Sequence, residues 1–191
     1  LDKPALICRW RMSNKKVPML NRHIRALSER LVQGEPLTHN MLSWAKQHVE
    51  WSLAEGDYTA RDGVLMLVID VNGNAAMTVG EYEPLADTSA KALRARSAEA
   101  RSEADETGVA PELLAAVNNG ELAFVAPGDE CLCGTATLIE QLAQTKGIPV
   151  TRVDIPAQLK GALFLVSDEH GVVPATETDA AEADAATVAF F

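Results

Sequence analysis

The twenty residues from Cys131 to Val150, CLCGTATLIEQLAQTKGIPV, contain the types and spacing of an anion-holding turn. A short turn ending in Gly134 leads into an apolar stripe at Leu138, Ile139 and Leu142. Lys146 and Gly147 then close the segment, and Ile148-Pro149-Val150 begins a new extended run. This spacing predicts a helix starting at Gly134-Thr135, with the Thr135 hydroxyl accepting a hydrogen bond from an N–H of the first turn. Lys in the last turn with Gly just beyond it is a stop signal. Such a loop-to-helix entry offers unpaired N–H groups and the positive end of the helix dipole, which suit a phosphate. Taken alone, the same pattern also describes an ordinary loop–helix–strand connector.

Other reactive side chains form no recognisable constellation. Asp57, Asp62, Glu81 and Glu83 lack metal-ligand spacing, and His23, His39, His48 and His170 fall in different predicted elements with no Ser or Cys at motif distance. Three cysteines, two of them at Cys131 and Cys133, make neither a disulfide framework nor a metal site, because a C-x-C pair needs a second Cys/His pair. No metal is expected. Glu130 and Cys131 would meet His170 as a thiol site only through the fold. Lys15-Lys16 reads as a solvated turn.

Composition sets wider bounds. A chain of 191 residues, 47% apolar and 23% charged, is long and apolar enough to bury a sizeable core. Its net charge of −10 argues against a nucleic-acid or anionic-membrane partner, since both require a basic face. No apolar run approaches the ~20 residues of a membrane span. Leu1 to Trp10 carries Lys3 and Arg9 and lacks the apolar core of a signal peptide, so a cytoplasmic protein is expected. The acid in residues 175 to 191 (Glu177, Asp179, Glu182, Asp184) reads as a solvated tail.

The elements that would position the Cys131–Val150 stretch follow from periodicity. A strand over Leu1–Met12, a polar turn at Ser13–Lys16 and a returning edge strand at Val17–Leu20 come first. Leu20, Ile24, Leu27 and Leu31 predict an amphipathic helix ended by Gly34. Thr38 is the expected N-cap of a second helix to about Ala54, with Trp44, His48 and Trp51 as a packing cluster and Gly56-Asp57 as its break. Strands at Val64–Val71 and Ala75–Tyr82 flank Asn72-Gly73-Asn74, a hairpin signal. Pro84–Asp87 reads as a linker, which predicts a small α+β domain over 1–84 and a second domain over 85–191. In the second, Thr88 is expected to cap an Ala-rich helix to about Glu106, stopped by Gly108 and Pro111. A hairpin over Glu112–Ala126, the phosphate-type turn, a strand at Val150–Asp154, a helical turn at Pro156–Lys160 and strands at Ala162–Val166 and Val172–Pro174 complete it. No internal repeat is evident.

In this order the chain resembles the fold-type IV pyridoxal-phosphate enzymes, the class IV aminotransferase and aminodeoxychorismate lyase family. The residues that carry the likeness are Leu132-Cys133-Gly134-Thr135-Ala136-Thr137, Ile139-Glu140-Gln141-Leu142-Ala143, Gly147-Ile148-Pro149-Val150 and Gly171-Val172-Val173-Pro174-Ala175. Pro18 to Leu27 and Asn119-Gly120-Glu121-Leu122 are similar to its first-domain helix and its hairpin.

The resemblance implies a two-domain α+β or α/β fold like that of the D-amino-acid aminotransferases. It also implies pyridoxal 5'-phosphate (PLP) as cofactor, a small amino-acid-like substrate, transferase or lyase chemistry and a homodimer. An apolar flank at Trp44, Trp51, Met66 and Leu67 would serve the dimer contact, or equally belong to a core. Carried over by position, Lys91 takes the place of the Schiff-base lysine, and Glu106 that of the carboxylate facing the ring nitrogen, with Glu112 a weaker candidate. Gly134, Thr135 and Ala136 match the phosphate turn, and Arg25 and Ser167 are further cofactor contacts. Ala26 and Thr137 stand where the family has phosphate-binding arginines. Those departures keep a second expectation open, a non-catalytic relative that holds no PLP and serves as a binding or assembly scaffold.

Overall fold

A computed structural model describes residues 2–55, 61–110, 112–176 and 179–191. Gly56, Asp57, Pro111 and Glu177, to which the sequence assigned a helix break, a helix stop and part of the acidic tail, lie outside the described residues. The chain sorts into two compact units, Leu1–Glu83 with Glu103–Ala110, and Pro84–Ser102 with Pro111–Phe191. The acidic, linker-like run at Pro84 marks the first change of unit, and Glu103–Ala110 groups with the first unit again.

In the first unit β1 (Pro4–Met12) alternates half-buried and buried side chains, placing Leu6, Cys8, Trp10 and Met12 on one face. The segment after it does not return as a strand. Ser13 and Lys16 form a single bridge, Met19 turns the chain with φ 58°, and α1 (Leu20–Ser28) follows at once. The predicted edge strand at Val17–Leu20 is therefore absent. Pro18 lacks a donor for a ladder, and Leu20 is already helical. α1 also stops before Leu31, which pairs in a minimal hairpin of β2 (Leu31–Val32) and β3 (Glu35–Pro36) around Gln33 and Gly34, both at positive φ.

α2 (His39–Glu55) begins as its sequence requires, the Met41 N–H donating to Thr38 Oγ1 at 3.1 Å. It buries Ala45, Val49 and Leu53. Trp51 is 62% exposed, so the expected aromatic packing cluster reduces to Trp44 stacked on His48 at 4.8 Å. β4 (Gly63–Asp70) pairs antiparallel with β1 and with β5 (Ala75–Gly80), giving the sheet order β1-β4-β5. Leu65, Leu67 and Ile69 from β4 join the β1 and helix residues in one core. Leu67 is thus interior to this unit, not part of an outward apolar flank.

α3 (Ala90–Thr107) is capped by Ser89, whose Oγ accepts the Ala92 N–H, and not by Thr88. Its residues up to Ser102 belong to the second unit and those from Glu103 to the first. Gly108 ends it with φ +74°.

The second unit contains β6 (Leu113–Asn118), β7 (Glu121–Val125), α4 (Gly134–Thr145), β8 (Val150–Val153), a single 3₁₀ turn (Pro156–Gln158), β9 (Ala162–Ser167), β10 (Gly171–Pro174) and α5 (Glu182–Phe190). The sheet order is β10-β9-β6-β7-β8, antiparallel except for the β7–β8 pair joined through α4. A parallel pair needs a crossover of this kind, and the helix supplies it. β6 and β9 are continuous apolar runs because both of their faces are covered. Leu113, Ala115, Val117 and Phe164 pack toward α4 and α5, while Leu114, Ala116 and Leu165 pack with Leu93 of α3. The expected solvated acidic tail is corrected by α5. Asp184 is 5% exposed and its carboxylate accepts the N–H groups of Asn119 and Gly120 at 2.9 and 3.0 Å.

Candidate functional site

The entry to α4 lies at the end of the tight turn after β7 and at the edge of the β6–β7–β9 core. Gly134, Thr135 and Ala136 are buried there, and Ile139 and Ala143 further along the helix anchor it on the core. Cys133 is the residue at the N-cap position, in extended backbone, and no side chain caps the helix locally. The Thr135 hydroxyl does not accept from the first turn, as its sequence context predicts. It donates instead, to Asp168 Oδ1 at 2.8 Å, and the Thr135 N–H donates to the same oxygen at 2.9 Å. Residue 168 comes from the turn between β9 and β10, 33 positions away in sequence. A carboxylate at a helix N-terminus gains from the unpaired N–H groups and from the dipole together. A carboxylate of the chain itself thus sits on the Thr135 N–H, one of the groups that the sequence offers to phosphate.

The surroundings carry several more charges, most of them paired. Burial pushes the Cys133 thiol well above the ordinary thiol range, and the Asp168 carboxylate beside it adds to the push. Ser167 is buried at the end of β9, where its Oγ accepts the His170 N–H at 2.9 Å and closes the β9–β10 turn. Glu112, buried before β6, takes a bidentate ion pair from Arg96 of α3 at 2.7 and 2.9 Å, and its backbone oxygen accepts from Ser97. Arg101 pairs with Glu130 at 2.6 Å and also donates to the Val125 carbonyl. Cys131 is exposed. Glu112, Glu169 and His170 place one donor atom each within 4.8 Å of one another, but Arg96 already engages both oxygens of Glu112.

The remaining residues picked out from the sequence are scattered. Lys91 lies in the first turn of α3 and is exposed, and Glu106 lies in its last turn, also exposed. Fifteen residues of continuous helix separate them, roughly 22 Å of axis, farther than two side chains and one pyridine ring extend. The structure does not bring that pair together. Arg25 is exposed on α1 in the first unit.

The sequence matches no family model and no curated protein. Solved structures do match. A provisionally named 4-amino-4-deoxychorismate lyase aligns with 100% of this chain and 90% of its own, at TM-score 0.66 and 15% identity. The fold IV-transaminase of Curtobacterium pusillum aligns with 96% of this chain and 83% of its own, at TM-score 0.63 and 14% identity. A hypothetical aminotransferase of Mycobacterium tuberculosis in its PLP-bound form aligns with 96% and 86%, at TM-score 0.59 and 12% identity. This is the fold-type IV enzyme fold.

Within the fold-type IV frame, the sequence anticipated the loop-to-helix entry at Gly134 but missed Asp168, Arg96 and the role of Glu112. Asp168 was visible only as a loop residue, because its partner is 33 positions distant and no local pattern announces such a contact. Arg96 and Glu112, 16 apart, could have been paired by asking what neutralises an acid placed next to an apolar run.

Proposed function

We propose that this chain is a small PLP-dependent enzyme of the class IV aminotransferase or aminodeoxychorismate lyase type, acting on an amino-acid-like substrate. One observation carries the reading: the fold is shared over nearly the whole chain with aminotransferases that have been solved with PLP bound. When bound, the cofactor supplies an electron-withdrawing ring that stabilises carbanion charge on the substrate. The Thr135 N–H and hydroxyl, which together hold one carboxylate oxygen of Asp168, support reading this turn as the phosphate end of such a site. Gly134, Thr135 and Ala136 would hold that end through backbone N–H and hydroxyl, with Ser167 shaping the β9–β10 turn.

At the ring end the fit is incomplete. Lys91 is the amine we carry forward for the cofactor, and Glu106 is not its partner, because α3 holds the two apart. Glu112 is engaged by Arg96 and is not free to face a ring nitrogen. These two facts, with the Asp168 carboxylate on the Thr135 N–H, favour a second reading in which the fold persists without PLP. The comparisons lend that second reading no support of their own.

Purified protein incubated with PLP decides between them. Lysine-bound PLP absorbs near the visible, survives borohydride reduction as a covalent adduct, and should map by mass spectrometry to Lys91 and vanish in Lys91→Ala. An adduct absent at saturating PLP, or located on another lysine, removes the Lys91 assignment. Complete absence of binding leaves the second reading.

A further inference from the structure

Lys15 and Lys16 are exposed in the turn after β1, and neither forms an ion pair with an acid among the described residues. They border a cavity of about 440 Å³, bounded also by the first residue of α1 and the last two turns of α2. That volume falls within the ~300–1,000 Å³ of small-molecule sites. Its floor is aliphatic. Val17, Val49 and Leu53 are buried in the core of the first unit, and Leu20 packs against the same core. Among the described residues no aromatic ring lines it, which favours a flexible alkyl chain over a flat ring. The backbone donors at the rim are already spent. The Asn14 N–H donates to Asp62 Oδ1 at 2.9 Å, the Lys15 N–H to the Arg61 carbonyl at 2.8 Å and the Lys16 N–H to the Ser13 carbonyl at 3.0 Å. Recognition of charge at this rim therefore falls to the lysine ammoniums, on stems that can lie along an apolar wall. Glu50 is the one acid in the described lining, and Lys46 stands 4.0 Å from it. Two lining ammoniums against one carboxylate leave one positive charge in excess, which suits a monoanion.

We propose that this cavity binds a medium-chain aliphatic monocarboxylate, with its alkyl chain on Val17, Leu20, Val49 and Leu53 and its carboxylate at the Lys15 and Lys16 ammoniums. Each methylene taken out of water adds about fourfold to affinity, so the chain supplies most of the binding and the lysines select the anion. The site is independent of the cofactor reading. Every residue that lines it belongs to the first unit, and none is among those carried toward PLP.

The test uses the 191-residue chain with ¹³C-labelled valine and leucine methyl groups, titrated with sodium octanoate, hexanoate, acetate and octan-1-ol. Octanoate should move the Val49 and Leu53 methyl resonances along one saturable curve. Hexanoate should need roughly tenfold more to reach half-saturation, and acetate should leave both unmoved. Lys15→Asn with Lys16→Gln removes both ammoniums, and Asn tolerates the left-handed backbone at position 15 (φ 58°). This double variant should weaken octanoate at least about tenfold and leave octan-1-ol unchanged. Ala54 is exposed at the edge of the cavity, and Ala54→Trp should block both ligands. Should Ala54→Trp not fold, the double variant, confined to two exposed turn positions, still decides. Val49 and Leu53 methyls unmoved by octanoate up to about 10 mM overturn the proposal. So does equal octanoate affinity in wild type and double variant, acetate that binds as tightly as octanoate, or octanoate binding undiminished in folded Ala54→Trp.

Discussion

In the first unit, Asp70 gathers the N–H groups of Asn72 and Asn74, two and four residues ahead, together with the N–H of Asp2. In the second, Asp184 gathers Asn119 and Gly120 from 65 and 64 residues away, and Asp168 gathers Thr135 from 33. Both units satisfy N–H donors with carboxylates, Asp70 mostly within its own hairpin with one reach of 68 residues to Asp2, and Asp184 and Asp168 from distant segments. Asp70 finishes a hairpin that its own neighbours begin. Asp184 and Asp168 tie together pieces made separately, a helix to a hairpin and a strand turn to a helix mouth. A local closure answers only to the turn it completes.

The sharpest way to break the comparison is to unfold one unit and ask whether the other follows. Gly108, at φ +74°, stands with the position of a Cβ 1.7 Å from the Ala5 carbonyl oxygen in the first unit. Gly161, at φ +96°, stands likewise 2.2 Å from the Val117 oxygen in the second. Each Gly→Ala change combines left-handed strain with a backbone clash and should cost about 3 kcal/mol or more. Gly120→Ala, also at positive φ but in open space, should cost only about 1 kcal/mol. All three tryptophans, Trp10, Trp44 and Trp51, lie in the first unit, so their fluorescence in a urea titration follows that unit while circular dichroism follows both. Coincident transitions in Gly161→Ala would show that the units unfold as one.

A smaller effect comes from the ion pairs. Glu112 is 7% exposed and Arg96 32%, whereas Arg9 and Glu103 in the first unit are 28% and 35% exposed. Glu112→Gln leaves Arg96 facing a neutral group and should cost about 2 kcal/mol after allowing for solvent at the guanidinium. Glu103→Gln should cost less than about 1 kcal/mol. Comparable losses in the two would mean that burial of Glu112 does not set the difference.

How far each unit could be read from its sequence follows the same divide. The hairpin strands, Thr38 as an N-cap, the helix stop at Gly147 and the run into β8 were legible because their causes lie within a few residues. Asn119-Gly120, both at positive φ, is a turn whose residue types announce its geometry. The strand expected at Val17–Leu20 failed because β1 found its partner in β4, more than fifty residues on, and hairpin reasoning looks only next door. α5 went unread because its acid was counted as solvation, while Asp184 is spent on a distant turn. At the candidate site the helix-entry N–H was legible, but the Thr135 hydroxyl's role as a donor and the Asp168 acceptor were not. Lys91 and Glu106 were placed by motif order, which carries no information about the continuous helix between them.

The carboxylate of Asp70 offers a pH test confined to the first unit. Burial pushes its pKa up, but the N–H groups of Asp2, Asn74 and Asn72 outweigh that and hold it below the ordinary carboxylate value. A lowered pKa contributes stability that is complete above the unfolded value near 3.8 and is lost as pH falls through the folded one. Tryptophan-detected stability should therefore decline below about pH 4, and Asp70→Asn should flatten that decline. An unchanged acid slope in the variant would assign the loss to other carboxylates.

The smallest effect belongs to Cys133 and sharpens the comparison from the other side of neutrality. Its thiol is raised well above 9.0, first by burial and then by Asp168. The raised value means that its contribution to stability is complete below the unfolded thiol pKa and is lost as pH rises through the folded one, the reverse of Asp70. At pH 8 the exposed Cys131 should react with a maleimide at least about tenfold faster than Cys133, as peptide mass spectrometry can read, because reaction requires both access and the thiolate. Asp168→Asn should speed labelling of Cys133 only modestly, since it removes the lesser of the two causes and leaves burial in place. Labelling of Cys133 as fast as Cys131 in that variant would show that the carboxylate, not the packing of the α4 entry, keeps this corner of the second unit closed.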